Sequence, residues 1–144
     1  NKIAITGHTS GLGLALTKYC DNKGIEWVGF SRTNGENIGD KKFYERLPKA
    51  IEDCDVFINN AHQGFGQVEL LMEMFDTWRM ENKLIINIGT DSVPAVAWKV
   101  VHQQYPIEKA SLHSAVDLIQ QDKDRKIKLT LLASQFAFLI QYNA

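Results

Sequence analysis

The chain has 144 residues and a formal charge of −1, from sixteen Lys and Arg against seventeen Asp and Glu; 44% of its side chains are hydrophobic and 23% charged. That is the composition of one soluble globular domain spanning residues 1–144, and it excludes a global field aimed at nucleic acid or an anionic membrane. No stretch reaches the ~18 apolar residues of a membrane span; the longest, Leu129 to Ile140, is interrupted by Ser134 and Gln135. Cys20 and Cys54 fit neither a disulfide framework nor a metal-ligand spacing, and His8, His62, His102 and His113 have no ligand spacing either, so no metal is expected. With no basic-then-apolar leader, and Asn1 rather than Met in first place, the expectation is a cytosolic chain with a trimmed start.

Short apolar runs alternate with amphipathic stretches along the whole chain, the pattern of an α/β fold with a parallel sheet. Lys2 to Thr6 is a compact β-branched strand ended by Gly7. Gly11 to Lys23 reads as a helix, with Leu12, Leu16 and Tyr19 at helical spacing and Gly24 as its stop. Ile25 to Ser31 is the second strand, and the polar stretch after it a loop. Asn37–Ile38 is read as a brief third strand, and Asp40 to Asp53 as one or two short helical pieces around Pro48. Asp55 to Asn59 is a fourth strand, buried on both faces. Val68 to Met80 is helical, with Leu71, Met74, Phe75 and Trp78 on one side. Leu84 to Gly89 is the fifth strand. A long helix runs from Val96 or Gln103 to Gln121, with Pro106 near the start of its regular part, and Ile127 to Ala133 is the sixth strand. The expected fold is a single Rossmann-type, doubly wound parallel sheet of about six strands.

The turn Thr6-Gly7-His8-Thr9-Ser10-Gly11-Leu12-Gly13 joins the first strand to the first helix. Glycines at 7, 11 and 13 permit a tight turn and close approach of the backbone to a pyrophosphate. The helix N-terminus adds free N–H groups and the positive end of its dipole. The pattern is TGxxxGxG rather than GxGxxG, since Leu16 occupies the last glycine position counted from Gly11. Further on, Tyr105 and Lys109 stand at i and i+4 and share a helix face. An ammonium near a phenol favours the phenolate, which makes the tyrosine a usable general acid–base for a carbonyl or alcohol oxygen. Ser92, beyond the fifth strand, can hydrogen-bond the same oxygen.

These pieces together resemble a short-chain dehydrogenase/reductase of the classical type, over nearly the whole chain. The matching segments are TGHTSGLG (6–13), NNA (59–61), NIGTDS (87–92) and YPIEK (105–109) followed by Ser111. The resemblance implies an oxidoreductase in which Tyr105 donates the proton, Ser92 orients the substrate carbonyl and Lys109 holds the nicotinamide ribose. It implies cofactor contacts from the glycine turn (Gly7, Thr9, Ser10, Gly11, Leu12, Gly13), from Asn60 and Ala61, and from Asn37 and Ile38 at the adenine. Asn59 belongs to the same supporting segment. The substrate implied is a small-molecule carbonyl or secondary alcohol, and the assembly a homodimer or homotetramer through helices 68–80 and 103–121. The departures are also specific. His62 stands where the family's NNAG has glycine, and the family's catalytic asparagine has no counterpart. Thr90 competes with Ser92 by strand register, and Ser134-Gln135-Phe136 replaces a Pro-Gly turn. The family's seventh strand and substrate lid are expected to be lacking. A nucleotide-binding protein of the same fold with little or no catalysis is the second reading, and an epimerase or dehydratase of the extended type a third. His62, near the cofactor, is weighed as a substrate contact and taken as a helix-cap or packing residue; Trp27, Trp78 and Trp98 are taken as core or interface, and Lys41, Lys42, Arg46 and Lys49 as a solvated helical face.

Cofactor preference is read at the end of the second strand. An acid about 20 residues beyond the glycine turn would bond the ribose hydroxyls of NAD. Here Ser31-Arg32-Thr33 occupies that place and no acid follows until Glu36. A guanidinium grips a 2′-phosphate through parallel hydrogen bonds, so NADP(H) is expected over NAD(H).

Overall fold

The computed structural model of the chain describes residues 1–89 and 104–132, and of 104–106 the backbone alone. Thr90, Ser92, Trp98, His102 and the apolar tail 136–140 lie outside the described residues. Five strands, β1 (Lys2–Thr6), β2 (Glu26–Phe30), β3 (Val56–Asn59), β4 (Leu84–Ile88) and β5 (Lys128–Leu132), form one sheet in the order β2-β1-β3-β4-β5. Every pairing is parallel, with Ile5 opposite Gly29 and Ile58, and Ile86 opposite Thr130.

Each strand is apolar on both sides, and the alternation sorts its side chains to two cores. Ala4, Phe57, Ile85 and Leu129 face one side. There α2 (Lys41–Ala50) contributes Phe43 and Leu47, α3 (Gly66–Trp78) contributes Leu70, Leu71, Met74 and Trp78, and α4 (Gln104–Gln120) contributes Leu112 and Val116. Ile5, Ile58 and Ile88 face the other side, where α1 (Gly11–Lys23) packs Leu12 and Leu16 against them. Helices on both faces of a parallel sheet make the fold doubly wound and Rossmann-type. Most apolar side chains of α3 go into this chain's own core, leaving Met72 exposed, as is Met80 just beyond the helix. At the helix end, Arg79 pairs with Asp122 at 2.6 and 3.0 Å and ties α3 to the turn before β5.

The third of the six expected strands is not found among the described residues: Asn37–Ile38 is a turn. The Asn37 side-chain oxygen accepts from Gly39 N at 2.8 Å and its carbonyl from Asp40 N at 3.0 Å, so the backbone bends directly into α2. Ile38 is buried because its side chain caps the larger core, which gave it the look of a strand residue. Asp40 then caps α2 by accepting from Lys42 N at 3.0 Å. The segment expected as one or two pieces is one helix, with Pro48 tolerated in its last turn. Pro106 sits in the first turn of α4, where its missing N–H has no intrahelical partner to lose.

The glycine turn shows two distinct reasons for glycine. At Gly13 a Cβ would lie 1.8 Å from the Gly7 carbonyl oxygen, a backbone atom that cannot yield, whereas at Gly11 the space is open and only its φ of +53° favours glycine. Gly13→Ala is therefore expected to destabilise the fold by roughly 3 kcal/mol or more. Gly11→Ala should lose about 1–2 kcal/mol, the left-handed penalty alone. Urea denaturation midpoints compare the two; equal losses would contradict the close approach.

Candidate functional site

The sheet order reverses between β1 and β3, because the chain leaves β1 for β2 on one side and returns to β3 on the other. In such sheets a crevice opens beyond the carboxyl ends of the strands at that point. Here it is a cavity of about 590 Å³, walled by the loops after β1, β2 and β3. The first loop contributes Gly7, Thr9 and Ser10; the second Ser31, Arg32, Thr33, Glu36, Asn37 and Ile38; the third Asn60, Ala61, His62 and Gln63.

Hydrogen bonds lock two of these loops to each other. The Thr6 hydroxyl donates to Ile58 O and accepts from the N–H groups of Asn60 and Ala61, both at 3.1 Å. The Asn60 amide donates back to the carbonyls of Thr6 and Gly7 at 3.1 and 3.3 Å. Gly7 N donates to Phe30 O at 2.7 Å, which joins the end of β2. Ser10 is the N-cap of α1 but makes no side-chain cap bond, and no acidic residue stands in the first turn. The leading N–H groups of α1 therefore keep their capacity for an anion.

On the β2 side the wall is a single 3₁₀ turn, Arg32–Asn34. Ser31 and Thr33 share a hydrogen bond of 2.6 Å, and Arg32 donates to the Gln63 side chain at 3.3 Å. The Glu36 carboxylate is engaged by Arg46, whose guanidinium also lies over the Phe43 ring. Arg46 lies on the solvated face of α2, as expected, and from there braces a residue of the cavity wall. Gly11, Leu12 and Gly13, expected with the others, do not line the cavity: Leu12 packs into the core under α1, and Gly13 supports Gly7 from below.

Lys109 is 4% exposed and lies behind the cavity rather than in its wall. Its ammonium donates to the Gln67 side chain and to the carbonyl of Ile88, both at 2.9 Å. Gln67 in turn donates to Asn59 O at 2.8 Å and Ile88 O at 2.9 Å, and Asn59 bonds Asn87 at 3.0 Å. Tyr105 occupies α4 one turn before Lys109, so the expected i, i+4 spacing falls within one helix. Two participants, Gln67 and Glu108, have no role in the sequence reading, and a third, His62, has a different one. Gln67 has no motif to mark it. His62 was assigned to capping or packing, yet α3 has Phe65 as N-cap and His62 lies 3.5 Å from Glu108. Glu108 is a buried acid inside the Tyr–Lys spacer, where only its partner gives it meaning. Among the described residues no group of three His, Cys, Asp or Glu is placed to hold a metal ion, and no helix is long and apolar enough to cross a membrane.

Burial pushes the Lys109 ammonium down to about 8, against the opposing pull of Glu108. The unfolded lysine keeps its proton up to about 10.4. Between those values the unfolded chain binds the proton that the native one has lost, so stability rises with pH across that window. Below it the burial penalty is present in full. Cys54 has the opposite slope, because burial, with Asp53 beside it, raises its thiol to about 11. The difference between wild type and Lys109→Met isolates the lysine. In urea titrations from pH 7 to 10.5, wild type should gain on the mutant by up to about 3 kcal/mol; a flat difference would refute the assignment.

No protein-family model matches the chain, and no curated protein matches it in sequence. Its three-dimensional likenesses are strong. A short-chain dehydrogenase/reductase from Vibrio parahaemolyticus superposes with a TM-score of 0.76 at 15% identity, over 91% of this chain and 74% of that one. A short-chain dehydrogenase from Burkholderia cenocepacia J2315, in complex with NADP, gives 0.75 at 15% identity over 92% and 70%. The 3-alpha-hydroxysteroid dehydrogenase from Pseudomonas sp. B-0831, complexed with NADH, gives 0.69 at 18% identity over 92% and 71%. With five parallel strands, helices on both faces and a cavity at the reversal of strand order, the chain has the fold of the short-chain dehydrogenases/reductases.

Proposed function

We propose that this protein is a nicotinamide-dependent oxidoreductase acting on a small carbonyl or secondary alcohol, with NADP(H) preferred. The observation that carries the proposal is the cavity at the reversal of strand order, backed by an uncapped helix N-terminus. Its volume of about 590 Å³ lies within the range of small-molecule and cofactor sites. The close approach of Gly13 to Gly7 leaves backbone, rather than side chain, at the mouth of α1, which suits a pyrophosphate. Residues that would hold the dinucleotide are Gly7, Thr9 and Ser10 at the phosphates, with Gly11, Leu12 and Gly13 supporting that turn. Arg32 with Ser31 and Thr33 would meet the adenosine ribose, Asn37 and Ile38 the adenine, and Asn60 and Ala61 the remaining wall. The fold neighbours bound to NADP and to NADH support a nicotinamide cofactor of either kind.

When bound, the cofactor supplies hydride exchange with the substrate carbon. The chain's own residues do the rest. Tyr105 passes the proton to or from the substrate oxygen, and the Lys109 ammonium one turn away favours its phenolate. Lys109 is held toward the sheet by Gln67 and Ile88 O, so its position does not depend on the ligand. Ser92 completes the catalytic set by hydrogen-bonding the same oxygen. Preference for NADP(H) follows from charge: Arg32 lines the cavity, and the nearby Glu36 carboxylate is already engaged by Arg46. That pairing removes most of the repulsion a 2′-phosphate would meet.

Helices α3 and α4 are proposed as the surface of a homo-oligomer. Phe65, Met72, Ile107 and Leu118 are large apolar residues exposed on and beside them, more than scattered exposure requires. Light scattering should give a mass above 16 kDa at micromolar concentration; a stable monomer would refute the assembly.

Cofactor titration tests the functional reading. NADPH should bind wild type more tightly than NADH. A charge-assisted contact contributes about 1.5–3 kcal/mol, so Arg32→Ala should weaken NADPH roughly tenfold or more and leave NADH nearly unchanged. Tyr105→Phe should lower kcat roughly 100-fold on a carbonyl substrate, with cofactor affinity kept. Equal loss of both cofactors in Arg32→Ala would reject the phosphate clamp, and full activity of Tyr105→Phe would reject the proton donor.

A further inference from the structure

We infer that His62 is an anion contact of the cavity that takes up a proton from solvent when a nucleotide's phosphates enter, with the buried Glu108 carboxylate braced behind it. This rests on the reading of the cavity as a dinucleotide site.

The geometry gives His62 two faces. Its ring lines the cavity next to Ala61, with the side chain 24% exposed. On the other side its Nε2 lies 3.5 Å from Glu108 Oε1, and the Glu108 side chain is only 8% exposed. The second carboxylate oxygen of Glu108 is buried and makes no hydrogen bond among the described residues. A buried carboxylate needs a cationic or hydrogen-bonding neighbour. Two bases stand within its influence, Lys109 on the same helix and His62 across the gap.

One carboxylate between two bases leaves a deficit of negative charge. Every charged group near His62 among the described residues enters the balance. From α4, Glu108 attracts a proton to the ring and Lys109 repels it; from α3, Gln67 adds a hydrogen bond but no charge. Across the cavity stand Arg32 and Glu36, the latter engaged by Arg46. Burial and Lys109 together hold the imidazole below its ordinary value, so the ring is neutral near pH 7. Phosphates entering the cavity supply the missing negative charge and favour the protonated ring. Lys109 cannot take this role by contact, because its ammonium is turned to Gln67 and Ile88 and does not line the cavity.

NADH is the first probe, since its pyrophosphate keeps its charge between pH 5.5 and 8, whereas the 2′-phosphate of NADPH titrates near pH 6. Fluorescence titration of wild type should show binding weakening with rising pH, by about three- to tenfold across that range. Calorimetry in two buffers of different ionisation enthalpy should show proton uptake. His62→Gln should still bind NADH, with the pH slope and the uptake below pH 7.5 both lost. Glu108→Gln should move the slope to lower pH, and it decides the matter should His62→Gln fail to fold. A His62→Gln protein that keeps the wild-type slope and uptake would overturn this inference alone. Wild type that binds neither NADH nor NADPH at any pH would overturn both it and the functional reading.

Discussion

A single buried ammonium organises the inner half of this molecule. Lys109 is placed against the carboxyl end of β4, where it donates to Ile88 O and to Gln67. A buried charge without partners is far more expensive than one with two good acceptors, so those acceptors must themselves be fixed. Gln67 is fixed by donating to Asn59 O and Ile88 O, while Asn59 donates to Gln67 O and Asn87, and Asn87 donates to Thr130 O. The result is a polar spine crossing β3, β4 and β5 beneath α3 and α4. Hydrophobic packing alone would let those helices slide on the sheet; the spine sets their register.

The same spine explains why the cavity is asymmetric in charge. Glu108 follows the helix that Lys109 anchors, and His62 follows the strand end that Asn59 anchors, so fixing the two asparagine and lysine positions brings the acid and the imidazole together. The net charge of −1 conceals this arrangement. Locally, one carboxylate stands between two bases behind the inner wall, and on the outer wall Arg46 occupies the only acid that reaches the cavity among the described residues.

Local signals were legible in the sequence wherever the physics was local. Lys2–Thr6 and Gly11–Lys23 have the bounds that β-branched run, helical spacing and Gly24 predict, and the glycine spacing marks the tight turn between them. Misreadings occur where tertiary contact decides. Ile38 resembles a strand residue because it is buried, yet it sits in a turn. The start of α3 at Gly66 is invisible because its glycine is selected by proximity: a Cβ there would lie 2.4 Å from Ile38 O. The Gln67–Lys109 and His62–Glu108 pairs span more than forty residues, and neither member announces the other. Their meaning exists only in the folded sheet.

The two sides of the cavity differ in what holds them. The loops after β1 and β3 are bound to each other by Thr6 and Asn60, so their shape is part of the sheet and forms whenever the protein folds. The turn after β2 rests on a part-buried hydroxyl pair and on an ion pair whose Arg46 side is exposed, contacts of the kind that contribute ~1 kcal/mol or less. Evolution can therefore rewrite the β2 side of the cavity residue by residue while the side built from the loops after β1 and β3 stays locked. Sequence drift among proteins built this way should collect in residues 32–34, an exposed stretch on which little of the fold leans.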